Sequence, residues 1–190
     1  MSIQNLHIHL GQQAPGAALG EILAAMQPPA VALHSVPAIG TYWHGEGGVY
    51  VGVDRGWKGM PDGHLIVATD PASIFKDREL GTAGIDVKGA TSDRDGRSNT
   101  QALADAGSEL CQEILGLEIE GHSDFFLAAR FQGALCYANA RELFETGYWH
   151  WLSTQYSAGS AWIQHFDYGN QSSYHEGAQF RARACRRLVL

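Results

Sequence analysis

Eight aromatic residues crowd positions 148–174: Tyr148, Trp149, Trp151, Tyr156, Trp162, Phe166, Tyr168 and Tyr174. Turn formers interrupt them, as in Ser157-Ala-Gly-Ser160 and Gly169-Asn-Gln-Ser-Ser173, and an Arg-rich run, Arg181-Ala-Arg-Ala-Cys-Arg-Arg187, follows. Large rings broken up in this way cannot share one stripe of a long helix. Their alternation requires short strands with some rings facing inward and others outward. The pattern predicts strands at Trp149–Ser153, Ala161–Phe166 and Gln179–Leu188, with Trp149, Trp151, Trp162 and Phe166 in the core.

A chain of 190 residues suits one domain, or one domain with a short appendage, and buries roughly 70% of its unfolded surface without metal or disulfide. Its 23 glycines point to many turns and short strands. The net charge of −7 argues against nucleic acid, whose phosphates require a basic stripe. Arg181, Arg183, Arg186 and Arg187 form a dense basic run, but strand alternation divides them between two faces, so pairing with local carboxylates is expected. Cys111, Cys136 and Cys185 are odd in number and widely spaced, which predicts free thiols and no disulfide. The first residues lack a basic and apolar export pattern, and no apolar run is long enough to cross a bilayer. Synthesis and folding in a cytoplasm are expected, without membrane insertion.

Residues 3–10 alternate like a half-buried strand, and Ala18, Leu19, Ile22, Leu23 and Met26 recur at helical spacing up to Pro28-Pro29. Residues 1–38 therefore look like a strand–helix appendage, and residues 39–190 like the main domain. In the latter, Thr41-Tyr-Trp-His44, Gly48–Val53 and His64–Ala68 read as strands. Arg55–Gly63 forms the loop between the last two, and Gly45-Glu-Gly-Gly48 a tight turn. Residues 70–97 show no period and read as a long surface loop. Ser98 and Gln101 form a capping-box signature that opens a helix over 99–115, and a second helix starts near Ala129 with Phe131, Ala134, Leu135 and Ala138 on one stripe.

No nucleophile has a base and an oxyanion hole in its sequence context, so no catalytic residue is expected. His7 and His9 share one strand face; two imidazoles do not close a metal site, though a symmetric trimer would bring six to its axis. They read as a solvent-facing or oligomer-lining pair. Asp86, Asp93 and Asp95 lack the spacing of a calcium loop, and no phosphate-cradling Gly motif is present, so no metal or cofactor is expected. What remains is Tyr156, Tyr168, Asn170, Gln171, Ser173, Tyr174 and His175 in turn-rich context. Tyr, Ser and Asn on loops is the composition of adaptable binding surfaces, because Tyr adds contact area at little entropic cost. These residues are the expected ligand contacts.

An ordered series of segments also carries a resemblance: Gly40–Gly52, His64–Thr69, Asp95-Gly-Arg-Ser-Asn-Thr100, Gly121–Leu127, Leu135-Cys-Tyr-Ala-Asn139, Trp151–Ser157, Ala161–Gly169 and Arg181–Leu188. Over about 39–190 the chain resembles the domain family of unknown function named for the C-terminal part of a bacterial collagen-like adhesin. The resemblance implies an α+β, C-type-lectin-like fold, with two helices on a twisted, mostly antiparallel sheet and long loops at one end. Members are frequent in tailed phages and prophages, where they look like tail-tip or fibre components, and relatives in adhesins bind surface polysaccharide. Diversified phage receptor-binding proteins of similar fold place variable residues near the C-terminus, and Tyr148–His175 matches that region. Arg130-Phe-Gln-Gly133 departs from the family's Arg-Arg-Glu type of helix opening, calcium-lectin sugar tripeptides are absent, and the cysteines do not reproduce the reactive pair of formylglycine-generating oxidases.

The resulting expectation is a non-enzymatic virion protein at a phage tail tip or fibre, made in the host cytoplasm. Residues 1–38 attach it to other tail subunits or to sister copies in a homo-oligomer such as a trimer, and 39–190 bind a host-surface glycan or protein. The alternative is a structural tail or baseplate subunit without a host ligand.

Overall fold

Strand β9 (Phe180–Val189) organises the molecule, because four other strands pair with it. The structure, a computed structural model, describes residues 35–81 and 84–190. The strand and helix expected within 1–38, with His7 and His9, lie outside the described residues but for the last few positions of that segment. Val36–Leu190 forms one compact unit.

On the N-terminal side, β1 (Tyr42–Trp43), β2 (Gly48–Asp54) and β3 (Gly63–Ala68) form an antiparallel ladder that joins β9 through Val67↔Cys185. Cys185 also pairs with Phe126 of β5 (Phe126–Leu127), so β3 and β5 lie on its two edges. The first half of β9 pairs with β4 (Ile74–Arg78) and, in parallel, with β6 (Trp149–Ser157). β6 continues antiparallel into β7 (Ser160–His165) and β8 (Gln171–His175). The sheet is therefore mixed, with order β1-β2-β3-β9-β6-β7-β8, and it ends on β8.

Among the described residues three α-helices accompany the sheet, where two were expected in 39–190: α1 (Gly96–Asp105), α2 (Glu109–Leu115) and α3 (Arg130–Ala140). The single helix expected over 99–115 is broken at Gly107, whose φ of 100° only glycine adopts readily. Gly107 N–H donates to Ala104 O and Ser108 N–H to Leu103 O, which closes α1 with a paired C-terminal hydrogen-bond motif. Ser108 then caps α2 by accepting from Cys111 N–H. The cap of α1 is Asp95, which accepts from Ser98 N–H and Ser98 Oγ; Gln101 bonds Asp105 instead of closing a capping box.

Helix α3 starts where expected, with a different buried face. Phe131, Ala134 and Ala138 are exposed, whereas Gln132, Gly133, Cys136 and Ala140 are buried. Gln132 is tolerated inside because its amide is satisfied: Oε1 accepts from Ala129 N–H and Nε2 donates to Asp54, which also accepts from Arg187. A Cβ at Gly133 would lie 2.6 Å from Leu152, so the glycine lets α3 approach β6.

The long loop expected over 70–97 is partly structured. A 3-10 turn (Pro71–Ser73) leads into β4, and Leu80, Val87 and Ala90 are buried. Gln155 on β6 fastens the later part: it accepts from Val87 N–H, donates to Ile85 O and Glu176, and its own N–H donates to Ala90 O. Of the four aromatics placed in the core, Trp151 and Phe166 are buried, whereas Trp149 and Trp162 are only half-buried.

Candidate recognition surface

The β6–β7–β8 ladder determines which of the expected contact residues can act together. Directly paired residues project to the same side of a sheet. Trp151↔Ile163, Ile163↔Ser172 and Ala161↔Tyr174 share one face, and His150↔Gln164, Gln164↔Gln171 and Trp162↔Ser173 share the other. The seven expected residues are therefore not one patch. Gln171, Ser173, Tyr174 and His175, read from the sequence as turn residues, form strand β8.

On the first face, Trp149, Ile163, Ser172, Tyr174 and Phe180 line an open groove of about 630 Å³, and His175, whose ladder partner Ser160 belongs to the opposite face, borders it at the end of β8. Its rings are held by edge-to-face contacts, Tyr174 on Phe180 at 5.4 Å and Phe180 on Trp151 at 4.9 Å. Trp151 is fixed in turn by donating from Nε1 to Arg78 O at 2.8 Å. Tyr174, 48% exposed, stands between this anchored interior and solvent, with the His175 ring 4.7 Å away. Aromatic walls with a serine hydroxyl, a phenol and an imidazole at the rim suit a ligand held by ring stacking and a few hydrogen bonds. The sequence places Trp149 in the core and does not mark Ser172 or Phe180 as contacts, because only the assembly of β6, β7, β8 and β9 brings them to one groove.

On the second face Gln171 is a clasp. Its Nε2 donates to Arg130 O at 2.8 Å and to Gln164 Oε1 at 2.7 Å, and its Oε1 accepts from Arg130 Nε at 3.1 Å. These bonds engage both amide donors and one lone pair of the amide oxygen, so Gln171 holds α3 to β8 in addition to any part in ligand contact. Arg130 lies flat over Trp162, 3.7 Å from the ring centroid, and Tyr156 meets Trp162 edge-on at 5.4 Å. Ser173 is half-buried.

Tyr168 and Asn170 occupy the β7–β8 turn, where Gly169 N–H donates to His165 O and His165 N–H to Asn170 O. Gly169 has φ of 77°, and a Cβ there would strike the Tyr137 ring. Tyr168 is 78% exposed and tilts over His165 at 4.9 Å. The exposed members of the expected set are thus Tyr156, Tyr168, Asn170, Tyr174 and His175, and Tyr174 and His175 share the groove.

Electrostatics beneath this surface favour neutral burial. His150 packs edge-on against the stacked pair of Phe144 and Phe166, and burial pushes its imidazole down to about 4. Glu176, at the end of β8, is buried, and desolvation raises its carboxyl above the usual range although Gln155 donates to it at 2.9 Å. All three cysteines are free and buried; burial pushes the Cys111 thiol up to about 12. Among the described residues no three His, Cys, Asp or Glu side chains come together as a metal donor set, and no helix is long and apolar enough to cross a membrane.

The Arg-rich strand behaves largely as expected. Arg181 pairs with Asp77 and Glu145, Arg186 with Glu46 and Asp124, and Arg187 with Asp54. Arg183 departs from the pattern, donating to Leu143 O and lying near the Phe144 ring. Comparison of the chain with known protein families and with curated proteins finds no match to either.

Proposed function

We propose that the described unit is the recognition domain of a tailed-phage or prophage tail-tip or fibre protein. It binds a host-surface glycan or protein without catalysing a reaction on it. The observation that carries the reading is the groove on the β6–β7–β8 sheet, where Tyr174 and His175 stand exposed on a framework of interlocked rings. A rigid aromatic site with little entropy left to lose on binding is what recognition requires. The series of segments resembling the phage and adhesin domain family supports the same assignment. The α+β architecture, with helices on a largely antiparallel mixed sheet, is compatible with the C-type-lectin-like form of that family. In this reading residues 1–38 join the domain to other tail subunits or to sister copies.

Binding of the fluorescently labelled chain to host cells tests the proposal. Alanine at Tyr168, Tyr174 and His175 together should abolish cell binding while leaving the melting temperature unchanged, because all three side chains are exposed. Undiminished binding by the triple variant would reject the site.

A purely structural tail subunit is the second reading, and one observation favours it. The terminal strand β8, Gln171-Ser-Ser-Tyr-His175, carries no Lys, Glu or Pro, the residues that usually protect a free edge from further pairing. If β8 is covered by a neighbouring subunit in the particle, this reading replaces the first.

A further inference from the structure

A second site lies apart from the groove, where the β2–β3 loop, the loop before α1 and the start of α3 meet. Trp57, Lys58, Thr91, Arg94 and Phe131 are among the residues around a cavity of about 550 Å³. Trp57 is 54% exposed and Phe131 44%, so both rings present apolar surface to a ligand. The Arg94 guanidinium lies 5.4 Å from the Trp57 ring centroid and 4.9 Å from that of Phe131. A guanidinium held against ring faces keeps its in-plane N–H groups available for a bidentate anion.

Arg94 differs from most arginines of this acidic chain. Arg55, Arg78, Arg130, Arg181, Arg186 and Arg187 all have carboxylate partners, whereas Arg94 has none among the described residues. Lys58, also on the cavity, sits over Trp57 at 5.8 Å and has no carboxylate partner among the described residues. Asp93, which also lines the cavity, is paired with Arg130 at 3.9 Å. Lys58 and Arg94 against Asp93 leave the cavity with a single excess positive charge beside two partly exposed rings.

The arginine's loop is also held in place. Ser92 Oγ accepts from Arg94 N–H at 3.2 Å and Asp95 N–H at 2.9 Å. Ser92's backbone is gripped from below: Asn99 Oδ1 accepts its N–H, and Asn99 Nδ2 and Thr154 Oγ1 donate to its carbonyl, at 3.0, 2.6 and 2.8 Å. Asn99 and Thr154 are buried. Phe131 N–H donates to Asp93 O at 2.9 Å, which ties the loop to α3. The buried polar residues thus serve to present Arg94 in one geometry.

We infer that this cavity binds an anionic pyranose unit of an acidic polysaccharide. The apolar face of the sugar lies against Trp57 and Phe131, its anionic group on Arg94 and Lys58, and a ring hydroxyl on Thr91. One cationic cavity in a chain of net charge −7 is too small a footprint for a nucleic-acid backbone, whereas it matches a single charged sugar. The inference does not depend on the tail assignment, because it is read on the isolated protein.

The test titrates the full chain with tri-galacturonate, its fully methyl-esterified form and galactose 6-sulfate, by calorimetry and by the Trp57 indole N–H resonance. Tri-galacturonate should shift that resonance and bind at least tenfold more tightly than the ester. Arg94→Gln and Trp57→Ala should each weaken binding at least tenfold without changing the melting temperature. Tighter binding of the sulfate would keep the site and identify the anion as a sulfate ester. Equal affinity for acid and ester, an unmoved Trp57 resonance, unchanged affinity of Arg94→Gln, or equal affinity for a Glu-Gly-Glu peptide would overturn the inference. None of these outcomes alters the test of Tyr168, Tyr174 and His175.

Discussion

Replacing His150 by Phe should remove a defined part of the acid sensitivity of this fold. His150 is buried edge-on against the stacked Phe144 and Phe166 rings, at 5.3 and 5.1 Å, and its imidazole is pushed down from 6.5 to about 4, chiefly by desolvation. The carbonyl of Tyr148, 3.2 Å from Nδ1, opposes this shift in part. Because the folded-state value is depressed, the unfolded chain takes up a proton that the folded chain refuses. Stability is then complete above the unfolded value of 6.5 and falls as pH drops towards about 4. Between pH of about 7.5 and about 4.5 this one group should cost roughly 2.5 kcal/mol. Urea unfolding of the wild type and of His150→Phe at both pH values isolates the contribution, because carboxylates such as Glu176 titrate in both proteins. The variant should lose less stability over this range, by that amount. Equal losses, or a His150 resonance titrating near 6.5, would refute the placement of a buried neutral imidazole against the stacked rings.

Two further predictions concern packing. At Gly96 a Cβ would lie 2.5 Å from Gln132 Oε1 and 2.6 Å from Leu127 O, so Gly96→Ala should destabilise by about 1–3 kcal/mol in thermal melts despite its better helix propensity. A double-mutant cycle of Arg130→Gln and Trp162→Phe should return a coupling of about 0.5–2 kcal/mol from the guanidinium–indole contact at 3.7 Å, and strict additivity would contradict it.

Much of the fold is legible where local signals and tertiary packing agree. The β2–β3 hairpin follows from the strand signals of Gly48–Val53 and His64–Ala68 and the breakers of Arg55–Gly63 between them. The start of α3 is likewise visible at Ala129. Elsewhere the deciding partners are far away in sequence. β8 lacks apolar alternation and is a strand only because β7 offers it a ladder, so residues read as one loop patch are divided between two faces. Gln171 looks like a free polar tip until Gln164 and Arg130 are brought to it. On α3 the period is right and the phase wrong, because hydrophobicity favours burying Phe131 whereas Asp54 satisfies a buried Gln132. At Gly107 an apolar period that runs on across the glycine masks its capacity to end one helix and present Ser108 as the cap of the next.

The candidate surface was legible in kind and not in arrangement. Tyr168, Tyr174 and His175 are exposed as their composition suggests. The groove beside Tyr174 depends on Trp149 and Phe180, which come from two other strands, β6 and β9. The Trp57–Arg94–Phe131 cluster draws on three segments, and no local pattern announces it.

Electron cryomicroscopy of an intact phage particle carrying this chain tests the central claim most directly. The account predicts the domain at the tail tip or on a fibre, with the groove formed by Tyr174, Trp149 and Phe180 facing solvent. A domain located elsewhere, or a groove packed against a neighbouring subunit, would contradict it.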